Sequence, residues 1–386
     1  MKKGSLFLFI LTVLLITTHG NALAFNSPLL VGWVIGYDET NTAVILHTKN
    51  GGRKWVVQGD NTKWTGYKGH DISAVDKHTA WAALGSAELN SGIILHTTNG
   101  GAKWTKQKLP EGVDGIKGIK GLTRHEAWAV SLKGTILHTI DGGKVWDVVD
   151  HPDFPINQVN RMDAIGYRDV RTADRSGKNT GMIHANVWIA DEYGEDDGHL
   201  GMIHTLYNGD IWRQENLPSP PNPPSGFQVH MVSAYSPKVV WAAIWSSGAL
   251  YRTVDGGETW EIIDARIGGN DIDDMCAYSA DALWFVQYQG SVVPGVIYHV
   301  SVEGGIPDVV EFHPVDKNGN VLPYAYEGLT CVDDQTALVV GYTVEFNSSQ
   351  KGIILLTNDG GQTWERHPLP VDDVSFWKVS FVGAHR

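Results

Sequence analysis

One segment of this chain recurs at wide, regular intervals. Ile45-Leu-His-Thr-Lys-Asn-Gly-Gly-Arg-Lys-Trp55 returns as Ile94-Leu-His-Thr-Thr-Asn-Gly-Gly-Ala-Lys-Trp104 and as Ile136-Leu-His-Thr-Ile-Asp-Gly-Gly-Lys-Val-Trp146. It appears again as Leu250-Tyr-Arg-Thr-Val-Asp-Gly-Gly-Glu-Thr-Trp260 and Ile354-Leu-Leu-Thr-Asn-Asp-Gly-Gly-Gln-Thr-Trp364, with a worn copy from Ile203 to Trp212. In every copy Thr precedes Trp by seven positions. A further site around Ile297-Tyr-His-Val and Glu303-Gly-Gly305 keeps the apolar run but lacks the Asp and the Trp. A repeat of this length is one supersecondary unit that cannot bury its apolar face alone, so the units must pack on one another.

A second motif precedes each copy: Trp33, Trp81, Trp128, Trp188, Trp241 and Trp284 each sit inside a short apolar run, with Leu338-Val339-Val in the last unit. A third lies upstream, seen by laying Val232-Ser-Ala-Tyr-Ser236 over Met275-Cys-Ala-Tyr-Ser279. Each unit of about 51 residues thus holds four apolar runs separated by turns rich in Gly, Asn and Asp, the pattern of a four-stranded antiparallel blade. Seven units can be counted. The first lacks its leading strand, and the chain ends in Val374-Ser-Phe-Trp-Lys-Val-Ser-Phe-Val382 with no strands after it. The expectation is all-β: a single seven-bladed propeller over residues 25–386, closed by the C-terminal strand inside the first blade, which removes a sheet edge that would otherwise invite aggregation. With 42% hydrophobic and 19% charged residues, the chain can bury a core of that size.

The Thr-x-Asp/Asn-x-Gly-x-x-Trp box resembles the Asp-box, or BNR, repeat, and the double Gly with the Gly-Trp or Ala-Trp strand looks most like the photosystem II assembly/stability factors. The resemblance implies a structural role for the boxes. In physical terms Asn50, Asn99, Asp141, Asp255 and Asp359 cap a turn, a Gly takes the positive-φ position, and the Trp packs beneath. It further implies an exported, non-enzymatic scaffold or assembly factor that binds a protein. The alternative within Asp-box proteins is a glycan-binding or glycoside-hydrolysing propeller. No sialidase-type Arg-Ile-Pro start is present, and two-propeller glucanases need more chain than this. No catalytic residue is assigned. Asp273/Asp274 and Asp372/Asp373 begin inner strands, but acid–base chemistry on a sugar requires two carboxylates about 5 to 10 Å apart.

Lys2 and Lys3, an apolar run from Leu6 to Ile16 and Ala22-Leu-Ala24 read as a signal peptide over residues 1–24. The expected location is therefore periplasmic, lumenal or extracellular, with no transmembrane segment in the mature chain. A formal net charge of −13 excludes nucleic-acid recruitment by bulk charge. Two Cys cannot build a four-thiolate zinc site. The compartment permits a bond between Cys276 and Cys331, which fall in one register of neighbouring first strands, although inner strands often lie beyond the roughly 7 Å such a bond spans. No cofactor is called for.

Twelve of the 15 Trp fall in the two repeat registers. Of the remainder Trp377 belongs to the closing strand, while Trp64 and Trp245 lie on connections opening to the face opposite the Asp boxes. The long stretches Ala190 to Gly201, Leu217 to Phe227, Pro314 to Tyr324 and Tyr342 to Lys351 gather on that same face, where function usually accumulates. Trp64, Tyr67, Tyr193, Trp245, Tyr288 and Tyr342 are therefore the expected binding residues for a protein partner or a glycan, with Trp64 and Trp245 exposed. Asp191, Asp196 and Asp197 are weak metal candidates without EF-hand spacing. His47, His96, His138, His204 and His299 recur at one strand position across five units, which points to packing rather than ligation.

Overall fold

The computed structural model describes residues 30–86, 88, 90–151, 159–168, 183–191, 202–215, 217–219, 228–244, 249–264, 271–287, 289, 293–316, 318–344 and 350–382. The expected leader lies outside them. Among the described residues there are seven four-stranded antiparallel sheets. Their innermost strands are Val374–Phe381, Lys68–Ala74, Ile116–Gly121, Val159–Arg168, Val229–Ala234, Ile272–Ala277 and Tyr324–Cys331 for the first to seventh blades. The first sheet places Val374–Phe381 beside Gly32–Asp38, with Trp33 opposite Ser380 and Val34 opposite Val379. The expected ring and its closure are both present.

The core sits between the blades. Seven apolar clusters each draw on two adjacent blades, for example Val34, Leu46 and Trp55 of the first with Leu338 and Ile354 of the seventh. Within a blade, the fully buried Trp of the second strand faces a third-strand residue directly across the sheet. Trp81 stacks on His96 at 3.5 Å between centroids, Trp188 on His204 at 3.7 Å, Trp128 on His138 at 4.0 Å and Trp33 on His47 at 4.5 Å. The fifth blade substitutes Arg252, its guanidinium 5.3 Å from the Trp241 ring. The recurring histidines are packing partners. Burial pushes His47 and His96 down to about 4, so they stack as neutral rings.

The boxes are turn devices. In the second blade the Asn99 side chain accepts the Thr97 hydroxyl at 3.0 Å and the Lys103 amide at 2.9 Å, while Thr97 Oγ1 accepts the Gly101 amide. Asn50, Asp141, Asp255 and Asp359 repeat this pattern. Both glycines of each box have φ near +70° to +90°, a region where a Cβ is penalised. The box Trp reaches past its own turn. Trp146, Trp260 and Trp364 set an edge against Trp81, Trp188 and Trp284 of the preceding blade, at 5.8 to 6.1 Å. The box therefore serves the seam between blades as well as the turn.

Candidate functional site

Every innermost strand carries a β-bulge at the same height. The extra residues are Trp377, His70, Lys117, Asn160, His230, Asp273 and Glu327. A bulge leaves one residue out of the pleat and bends the strand, and bulges concentrate at barrel rims and functional sites. This ring lies toward the face opposite the Asp boxes. Its members reach to the next blade: His70 Nδ1 lies 2.9 Å from the Ile116 carbonyl, and His230 Nδ1 3.0 Å from that of Ile272. Burial pushes both imidazoles down to about 4. Glu327 is pushed up to about 7 by burial, against the pull of the Tyr342 hydroxyl and of Lys117.

Immediately past the bulges an ion cluster spans the axis. Lys378 Nζ lies 2.8 and 2.7 Å from the two Asp274 oxygens, and Arg161 also pairs with Asp274. The three residues come from the first, fourth and sixth blades, which are not neighbours, so their contact crosses the ring. Burial pulls the Asp274 carboxyl up, but Arg161 and Lys378 outweigh it and hold the group below its ordinary range. Asp274 is fully buried and committed to this cluster. Beyond the cluster, on the Asp-box side, the inner strands enclose a cavity of about 440 Å³.

Several expected residues behave otherwise than the sequence suggested. Trp64 is 5% exposed, packed with Trp33, Ile35 and Ile72 across the first seam. Its ring lies on Gly59, whose missing Cβ would fall 2.1 Å from it. The expectation of an exposed ring is corrected: Trp64 fills a core position outside the repeat register. Tyr67 is half-buried, its hydroxyl 2.9 Å from Ser91 Oγ. Tyr342 stands behind Glu327. Trp245, Tyr193, Tyr288, Asp196 and Asp197 lie outside the described residues, and Asp191 ends a strand with its side chain undescribed. Among the described residues, no three His, Cys, Asp or Glu are grouped to hold a metal. Cys276 and Cys331 form a disulfide with Cα atoms 5.9 Å apart. They stand one position apart in register rather than level, on the diagonal that brings neighbouring inner strands within reach.

A cluster of basic side chains lies on the Asp-box face. A groove of about 880 Å³ between the second and third blades is lined by Lys77, Lys103, Lys106, Lys108, Arg124 and Lys144. None of these six has a carboxylate within 4 Å among the described residues. The two acids lining the groove are spent on turns: Asp76 accepts the His78 and Thr79 amides, and Asp141 caps its box. Sequence reasoning missed this groove although its signal is present. The box residues beside the glycines are basic in the first three units (Arg53, Lys54, Lys103, Lys144) and acidic or neutral later (Glu258, Gln362).

The family model described as photosynthesis system II assembly factor YCF48 matches residues 21–174. The chain is an Asp-box propeller resembling those assembly factors. No curated protein matches it. A solved YCF48 bound to D1 peptide superposes with a TM-score of 0.56 at 16% identity, over 86% of this chain and 90% of that one. YCF48 from Cyanidioschyzon merolae gives 0.51 at 16%, over 89% and 97%. The GH74 enzyme of Niastella koreensis gives 0.54 at 10%, over 90% of this chain and 68% of its own. At these identities the likeness is one of fold. The basic groove lies wholly within the stretch matched by the YCF48 family model.

Proposed function

We propose that this protein is an exported, non-enzymatic propeller that holds an acidic segment of a protein partner during assembly of an extracytoplasmic or membrane complex. The observation that carries this reading is the groove between the second and third blades. Six cations without ion-pair partners among the described residues, on a chain of net charge −13, form a local field opposite in sign to the whole molecule. Such an arrangement steers and orients an anionic partner, and it weakens with salt. The likeness to YCF48 supports the assembly setting, and the disulfide fits an oxidising compartment.

Fluorescence anisotropy with a labelled, Asp/Glu-rich peptide of about ten residues tests the reading. Micromolar binding is expected at low salt, weakening at least about tenfold on moving to physiological salt. Lys103→Glu/Lys106→Glu/Lys144→Glu should abolish it with the melting temperature unchanged, since all three side chains are exposed. Binding that survives the triple reversal overturns the groove assignment. Release of reducing sugar from xyloglucan by the wild-type chain overturns the non-enzymatic reading.

A further inference from the structure

The axial cavity has an unusual hydrogen-bond inventory. Three carboxylates stand at or beneath it, and all are committed. Asp71 accepts the Ile72 and Ile119 amides at 2.8 and 2.9 Å. Asp163 accepts the Ala164 and Ala234 amides, both at 2.9 Å, and pairs with Lys120 at 2.7 Å. Asp274 accepts the Met275 and Leu329 amides at 3.0 and 2.8 Å besides its two cations. The carboxylates thus stitch neighbouring inner strands together: Asp163 and Asp274 also hold cations, and Asp71 has an amide on each oxygen.

The donors are in the opposite condition. Ser380, Ser73 and Ser233 each accept a backbone amide of the following blade, from Ala74, Gly121 and Ala277, at 3.0 to 3.1 Å. A hydroxyl that accepts in this way still has its proton to give, and none of the three meets an acceptor among the described residues. All three serines line the cavity, and Ser73 and Ser233 are buried. Lys120 uses one of its three protons on Asp163, and Arg161 has N–H groups beyond the one on Asp274. Hydrogen-bond donors from five blades therefore face one polar space whose carboxylates each already accept at least two hydrogen bonds. Unmet buried donors cost free energy, and a ligand that supplies acceptors recovers it.

From this geometry we infer that the axial cavity is a binding site for a small carboxylate-bearing solute, entering from the Asp-box face and held by Ser73, Ser233, Ser380, Lys120 and Arg161. The volume suits a small metabolite-sized ligand rather than a polypeptide. The site is separate from the basic groove and stands whether or not a protein partner binds there.

Calorimetric titration of the full chain with succinate, citrate, inorganic sulfate and the neutral disaccharide maltose tests this. One saturable site is expected for succinate or citrate. Affinity should fall about tenfold or more in Ser73→Ala/Ser233→Ala and in Lys120→Gln, and stay unchanged in Lys103→Glu/Lys144→Glu. The serine variant also removes two inter-blade acceptors, so should it fail to fold, Lys120→Gln alone decides, because that side chain is 30% exposed and at the cavity wall. Unaltered affinity in Lys120→Gln overturns the proposal. So does maltose or sulfate binding as tightly as the carboxylates, or the absence of saturable heat for either carboxylate at about 10 mM.

Discussion

The second and sixth blades solve the same packing problem by different means. The second has a full box: Thr97 and Asn99 knit the turn, and a two-residue outer strand, Thr105–Lys106, suffices. The sixth has neither box Asp nor box Trp. Its third and fourth strands join through Gly304 and Gly305 at φ 60° and 81°, and Ile306–Phe312 pairs along its whole length with Ile297–Glu303. Phe312, at the end of that long strand, joins the seam with the seventh blade, meeting Trp284 at 5.5 Å and Trp364 at 6.5 Å. Both blades keep the fully buried second-strand Trp. The turn device can be exchanged for a longer hydrogen-bonded ladder, whereas the aromatic wedge between blades is retained.

The largest effect tests that shared wedge. Trp81→Ala and Trp284→Ala should each destabilise by about 3 to 5 kcal/mol, measured by denaturant unfolding, since both side chains are fully buried. A much smaller loss at Trp284 would mean that the long hairpin of the sixth blade carries the load instead.

Next comes the disulfide, found only at the sixth blade's seam. Cys276 occupies the place that Ser73 holds in the second blade, and its Sγ receives the Cys331 amide at 2.8 Å. Cys276→Ser/Cys331→Ala restores the hydroxyl pattern of the other seams and removes only the cross-link. A loss of about 2 to 4 kcal/mol is expected, read against wild type under oxidising conditions. No loss would show that the serine–amide bond alone holds such a seam.

Acid should separate the two blades. His70 and His96 of the second blade are both pushed down to about 4 from 6.5, by burial first and then by neighbouring charge. In the sixth blade burial lowers His299, but Asp334 and Asp308 pull it back. An imidazole kept neutral in the fold binds its proton only on unfolding, so stability falls as pH drops from 6.5 toward 4. The loss at pH 5 is about 1 to 2 kcal/mol per histidine. His96→Gln should flatten the pH dependence of melting, while His299→Gln should change it less. Equal flattening would erase the contrast.

The smallest effect concerns the turn itself. Asn99→Ala should cost about 1 kcal/mol, by analogy with a lost helix cap, and Gly304→Ala a similar amount through its positive φ, because open space surrounds it. A much larger cost at Asn99 would make the box more than a turn device.

The blade count, the closure and the structural character of the boxes were legible because they depend on residue pattern at fixed spacing. Features set by ring geometry were not. The bulge ring adds one residue to each inner strand at positions as unlike as Trp377, His70 and Glu327, so no motif marks it. Arg161, Asp274 and Lys378 meet only after three distant segments converge on the axis. Trp64 shows the limit of subtraction: a Trp outside the repeat register was expected in solvent, yet Gly59 leaves a flat bed for its ring and draws it into the core. The groove lysines were visible as a drift in charge between early and late boxes, a signal hidden when the boxes are read only for what they share.

The ion cluster of Arg161, Asp274 and Lys378 also lays a floor of paired charge beneath the axial cavity. The axial cavity and the basic groove both lie on the Asp-box side of that floor but are lined by different residues, so a polypeptide in the groove and a solute in the cavity would occupy separate sites. Anything that perturbs the floor, however, touches inner strands of the first, fourth and sixth blades at once. A solute in the cavity would rest against that partition of charge, so its binding should register in three distant strands without a moving part between them.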